Sequence, residues 1–132
     1  MNQTDERAGR DESPPPVVFV VDDEPMLLDL ALAILQPAGY DVRTFRDPRQ
    51  ALAEFPAASP AVLVTDYAMA GMNGLELLRA CRTVNPRQKA LLLSGTVDET
   101  IYANAAVKPD AFLAKPYRLH DLVESVQKLA GR

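Results

Sequence analysis

Val17-Val18-Phe19-Val20-Val21-Asp22-Asp23-Glu24-Pro25 opens the part of the chain that can fold. Its first five residues are β-branched or aromatic with no polar alternation, which predicts a strand buried on both faces. Three acidic residues follow, and Pro25 suits the first turn of a helix, where its missing N–H costs nothing. Leu27, Ala31, Ile34 and Leu35 then fall on one helical stripe. Pro37 and Gly39 stop that helix. A buried strand, an acidic turn and an amphipathic helix make one βα unit.

The unit recurs downstream. Asp41 to Phe45 alternates polar and apolar, as an edge strand does. Asp47-Pro48 opens a short helix carrying Leu52 and Phe55, expected to close at Pro56. Ala61-Val62-Leu63-Val64-Thr65 reads as a third strand running into Asp66; Leu75, Leu78 and Cys81 mark the helix after the loop with Gly71 and Gly74. Ala90-Leu91-Leu92-Leu93 is a fourth strand ending at Ser94-Gly95, followed by a weakly amphipathic stretch from Asp98 to Ala106 with Ile101 as its anchor. Ala111-Phe112-Leu113-Ala114 is a fifth strand ending at Lys115-Pro116. Leu119, Leu122, Val123, Val126 and Leu129 give the last helix an apolar face. The pattern is (βα)₅, an α/β fold with a parallel sheet covered by helices on both sides.

Composition narrows the function. A chain of 132 residues suits one core. Residues 1–16 are polar and end in Ser13-Pro14-Pro15-Pro16, so they are expected to be a disordered tail ahead of a domain spanning 17–132. The net charge of −4 argues against nucleic acid as a direct partner. No apolar run reaches the roughly 20 residues that span a bilayer. Asp5, Glu6, Arg7 and Arg10 stand where a signal peptide would be apolar, so a cytoplasmic protein is expected. Cys81 and His120 are the sole cysteine and histidine, which rules out an internal disulfide and a Cys-based zinc site and leaves little for a His-based triad. Space filling suits Cys81, and a surface or helix-end place suits His120.

The chemistry gathers at strand ends, where folds of this kind place their active groups. Strand one ends in Asp22-Asp23, strand three in Asp66, strand four in Ser94 and strand five in Lys115. Each has an ordinary explanation alone: acids before Pro25 can cap a helix, and a lysine can be a solvated charge. Jointly they put three carboxylates and an ammonium at one end of the sheet. At roughly 4 Å and an effective dielectric near 20, each like-charge pair costs about 4 kcal/mol before screening. A hard divalent cation bound through oxygens offsets that repulsion, and Mg2+ is the usual one. A carboxylate beside Mg2+ and a lysine can act as a nucleophile toward a phosphoryl group.

From Val17 to about Leu129 these residues resemble the receiver domain of two-component response regulators. Val20-Val-Asp-Asp-Glu-Pro25 is similar to the family's acidic motif, and Asp66-Tyr-Ala-Met-Ala-Gly-Met-Asn-Gly74 to its phosphoacceptor loop. Ser94-Gly95 is similar to the hydroxyl-plus-small-residue step, and Lys115-Pro116 to the lysine–proline step. The resemblance implies a flavodoxin-like strand order 2-1-3-4-5, with Asp66 as phosphoacceptor. It implies Mg2+ held directly by Asp23, through water by Asp22, by Asp66 and by the backbone carbonyl of Ala68. Ser94 and Lys115 would contact the phosphoryl group, helped by the backbone amides of Tyr67 and Gly95. Ser94 and Phe112 would form the switch pair, and the peptide before Pro116 would be cis. Departures are Ala70, where the family loop usually has proline, Phe112 in place of a switch tyrosine, and the weak helix after Ser94.

The implied function is a phosphorylation-controlled switch charged by a histidine kinase or histidine phosphotransfer protein and read by a downstream protein. It would be monomeric or weakly dimeric, with at most slow autodephosphorylation rather than enzymatic turnover. Because the chain stops at Arg132, a stand-alone switch or phosphate relay is expected. One rival is a phosphatase of the haloacid-dehalogenase type, but those enzymes resemble a pattern with a second Asp where this chain has Ala68. The other is a phosphate-independent interaction module, whose usual sign is a lost acid or lysine. The output surface is expected on Asp98 to Ala106 and the last helix.

Overall fold

Strand-forming runs that are apolar on both faces need cover on both, and the chain supplies it. The computed structural model describes residues 14–95 and 105–132. Most of the tail expected at residues 1–16, and the segment 98–106 apart from Ala105 and Ala106, lie outside the described residues. Five strands, β1 (Val17–Val21), β2 (Asp41–Phe45), β3 (Val62–Asp66), β4 (Lys89–Ser94) and β5 (Ala111–Ala114), form one parallel sheet in the order β2-β1-β3-β4-β5. The described helices are α1 (Pro25–Leu35), α2 (Pro48–Ala58), α3 (Gly74–Val84) and α4 (Leu119–Leu129).

Successive strand residues point to opposite faces, and β1 divides accordingly. Val18 and Val20 join Leu28, Ala31, Leu35, Leu122 and Val126 in a core under α1 and α4. Phe19 and Val21 join Phe45, Phe55, Leu77, Leu78 and Cys81 under α2 and α3. The rings of Phe19 and Phe45 lie 4.7 Å apart at 54°, a tilted geometry that aromatic quadrupoles favour. Strand β2 keeps Arg43 and Thr44 exposed, as an edge position allows.

Three details differ from the sequence expectation. Pro56 lies inside α2, which continues to Ala58. A proline this close to the end removes only one helical bond, and Ser59, left-handed at φ 46°, closes the helix by donating to the Phe55 carbonyl at 3.0 Å. Leu28 is buried deeper than Leu27, and Leu77 deeper than Leu75, while Ala31, Leu35, Leu78 and Cys81 are buried as the stripes predict. Asp66 is itself the last residue of β3. Among the described residues no helix is long and apolar enough to cross a membrane.

Candidate functional site

Parallel pairing sets the site. Val21 stands opposite Thr65, Asp66 opposite Leu93, and Ser94 opposite Ala114, so the carboxyl ends of β1, β3, β4 and β5 align. Asp22 prolongs β1 by donating its N–H to the Phe45 carbonyl at 3.0 Å, and Lys115 prolongs β5 by donating to the Ser94 carbonyl at 2.8 Å. Residues fixed by ladder bonds cannot drift apart, and their side chains converge. Each of Asp22, Asp23 and Asp66 brings a carboxylate oxygen to within 4.8 Å of the others. Asp22 and Asp66 are buried, whereas Asp23 is exposed.

The Nζ of Lys115 lies 2.9 Å from Asp22 Oδ2, 3.3 Å from Asp66 Oδ1 and 3.4 Å from Glu24 Oε1. Burial pushes the Asp66 carboxyl above its ordinary pKa; Lys115 pulls it down, while Asp22 and Asp23 push it up. Burial opposes the ammonium of Lys115, but hydrogen bonding to Asp22 and the charges of Asp22 and Asp66 outweigh it, so its pKa is raised. Tyr117, half-buried nearby, is raised first by burial and then by the charge of Asp22.

The other expected residues line this end. Ser94 is buried as the last residue of β4, and Gly95 follows it, exposed. Phe112 is half-buried on β5 opposite Leu92, two positions before the Ser94–Ala114 pair. Ala68 is exposed in the loop after β3. The N–H of Tyr67 donates to the Leu93 carbonyl at 2.8 Å, so a phosphoryl contact from that amide would share its proton with the sheet. The Lys115–Pro116 peptide is cis. His120 lies on the surface of α4, 3.9 Å from Glu124.

Two features of the site were not read from sequence. Asn73 and Glu76 form a reciprocal capping box at α3, with both bonds at 2.8 Å, and the Asn-x-x-Glu spacing was the signal available for it. Glu24 reaches Lys115, which no local pattern announces. The cap delivers Gly74 against β3: its N–H donates to the Tyr67 carbonyl at 2.8 Å, and a Cβ there would collide with the carbonyl oxygen of Asp66.

A doubly wound parallel sheet with an acidic triad and a lysine at its carboxyl edge is an α/β domain of the kind that binds its ligands at that edge. The chain belongs to the response regulator receiver domain family, whose model matches residues 18–127. It is 32% identical over 129 residues to the transcriptional regulatory protein TrcR of Mycobacterium tuberculosis, covering 96% of this chain and 49% of that protein. The chain spans about half the length of the curated relatives it matches. The structure of the chemotaxis protein CheY4 of Vibrio cholerae superimposes with a TM-score of 0.81 at 29% identity, covering 87% of this chain and 98% of that one. The response regulator TrrA of Thermotoga maritima, solved in complex with Mg2+-BeF, gives 0.76 at 28% identity over 86% and 98%. Receiver domains of this family are switches of two-component signalling.

Proposed function

We propose that this receiver accepts a phosphoryl group onto Asp66 from a phosphohistidine of a histidine kinase or histidine phosphotransfer protein, in a cytoplasmic setting, and passes the change to a downstream protein. The observation that carries the reading is the contact of Lys115 with Asp22 and Asp66 beside Asp23. Hard oxygen donors in excess over one ammonium suit a hard divalent cation. Asp22, Asp23, Asp66 and the Ala68 carbonyl would hold Mg2+, with Asp23 as the exposed ligand. When bound, Mg2+ neutralises charge on the carboxylates and on the oxygens being transferred.

The chain's own residues supply position. A carboxylate oxygen of Asp66 forms a bond to phosphorus as the phosphorus–nitrogen bond of the donor breaks; the imidazole keeps the electron pair and takes a proton from solvent. Lys115 offers its N–H groups to the phosphoryl oxygens, and the Ser94 hydroxyl and Gly95 amide approach from β4. The added charge and acceptor oxygens then bias the packing of Ser94 and Phe112. The domain acts as a switch and not as a turnover enzyme: Ala68 offers no acid–base group for fast release of the phosphate. A phosphate-independent role is disfavoured because both acids of the pair, Asp66 and Lys115 are all present, with Lys115 in contact with Asp22 and Asp66 and Asp23 beside them.

Intact mass after incubation with acetyl phosphate and Mg2+ tests the proposal. One added phosphoryl group is expected, absent without Mg2+ and absent in Asp66→Asn. Equal labelling of Asp66→Asn would overturn it.

A further inference from the structure

We infer that Glu24 is a positioning residue for Lys115, holding one of its N–H donors at the mouth of the acceptor pocket and yielding it when an anion arrives at Asp66. The inference rests on the reading of Asp66 as acceptor. An ammonium has three donors, and Lys115 faces three carboxylates, at 2.9 Å in Asp22, 3.3 Å in Asp66 and 3.4 Å in Glu24. The three are unequal. The side chains of Asp22 and Asp66 are 1% and 8% exposed, whereas that of Glu24 is 63% exposed. Taking the ammonium from Asp22 would strand a buried charge. Taking it from Glu24 costs little, because water replaces it. The donor aimed at Glu24 is therefore the one able to turn toward a new anion.

The position of Glu24 in the fold produces this geometry. It occupies the N-cap of α1 with extended φ −97° and ψ 109°, yet its side chain makes no capping bond. Its backbone N–H is held by Asp22 Oδ1 at 3.0 Å. Asp22 thus anchors the backbone from which Glu24 reaches Lys115. Glu24 and Lys115 also line a surface groove with Leu27, Leu30, Tyr117 and Leu119, so the exchangeable contact faces solvent on the side away from Asp66. An anion joined to Asp66 meets Glu24 both as a competitor for Lys115 and as a like charge.

Beryllofluoride with Mg2+, titrated into the full chain and followed by backbone NMR, tests this directly. Glu24→Gln should bind the mimic about two- to fivefold more tightly than wild type, the range open to an exposed ion pair, with an unchanged melting temperature. Glu24→Ala should follow it. Asp29→Asn, which removes another exposed acid of α1, should leave the affinity unchanged. Equal or weaker binding by both Glu24 variants overturns the inference. So does an equal gain in Asp29→Asn, which would make the effect one of general charge. If wild type binds no beryllofluoride at all, the acceptor reading fails, and this inference with it.

Discussion

Lys115 donates to Asp22 Oδ2 at 2.9 Å and so ties β5 to β1 across the two strands that lie between them. The Asp22 side chain is 1% exposed and that of Lys115 15%, so removing either partner strands a charge that water reaches poorly. Replacing Lys115 with Met should leave Asp22 and Asp66 facing each other uncompensated. A loss of about 3 kcal/mol in unfolding free energy is expected, partly regained on adding Mg2+. Denaturant titration with and without the metal measures both effects.

Asp66 has a second signature. Its pKa is raised above the ordinary 3.8, mainly by burial. The folded state therefore holds a proton more tightly than the unfolded chain, so Asp66 opposes folding at neutral pH. That cost falls as pH drops through the raised folded-state value. Asp66→Asn should unfold at higher denaturant than wild type at pH 7, with the gap narrowing toward pH 4. A gap that widens on acidification would mean that burial does not raise the Asp66 carboxyl.

At Gly74 the helix start lies against the backbone of Asp66. A Cβ would meet the Asp66 carbonyl oxygen and lie 2.9 Å from Leu92 Cδ1. Gly74→Ala must move either α3 or the end of β3, and overpacking of this kind costs about 1–3 kcal/mol. Because the clash is with Asp66 itself, labelling by acetyl phosphate should slow more than in a core variant of equal stability, such as one at Leu35. Matched melting curves and labelling rates separate the two effects.

Cys81 is buried, and desolvation pushes its thiol from 9.0 up to about 12. The native thiol should resist alkylation at pH 8 and react readily in denaturant. Since the unfolded thiol ionises first, stability should fall as pH rises from about 9 toward 12; Cys81→Ala should remove that component of the alkaline slope, as unfolding at pH 8 and pH 10 would reveal.

Much of this architecture was legible in one dimension. Strands that are buried on both faces cannot alternate, so Val17–Val21 and Val62–Asp66 read plainly as inner strands, and the alternation of Asp41–Phe45 marked the edge. Proline and glycine gave most boundaries. Pro56 misled because its effect depends on whether a helix has one more turn to make, which the cap at Ser59 decides. The candidate site was legible for a related reason: polar residues directly after apolar runs must emerge at the strand ends, and parallel strands share one such end.

By itself, then, the sequence determined which residues form the sheet, which helices cover it, and that Asp22, Asp23, Asp66, Ser94 and Lys115 lie at one edge, since residue type and periodicity act over a few neighbours. Which of the acids Lys115 holds most closely, that Glu24 joins them, and that Gly74 rests on Asp66 were decided only by the tertiary structure. The same holds at the opposite edge, where Asp110 accepts from the Ala90 N–H at 2.8 Å and from Arg82 at 3.0 Å. Such contacts turn on fractions of an ångström between residues 8 to 93 positions apart. Strand register, sheet twist and helix docking set those distances, and no local pattern encodes them.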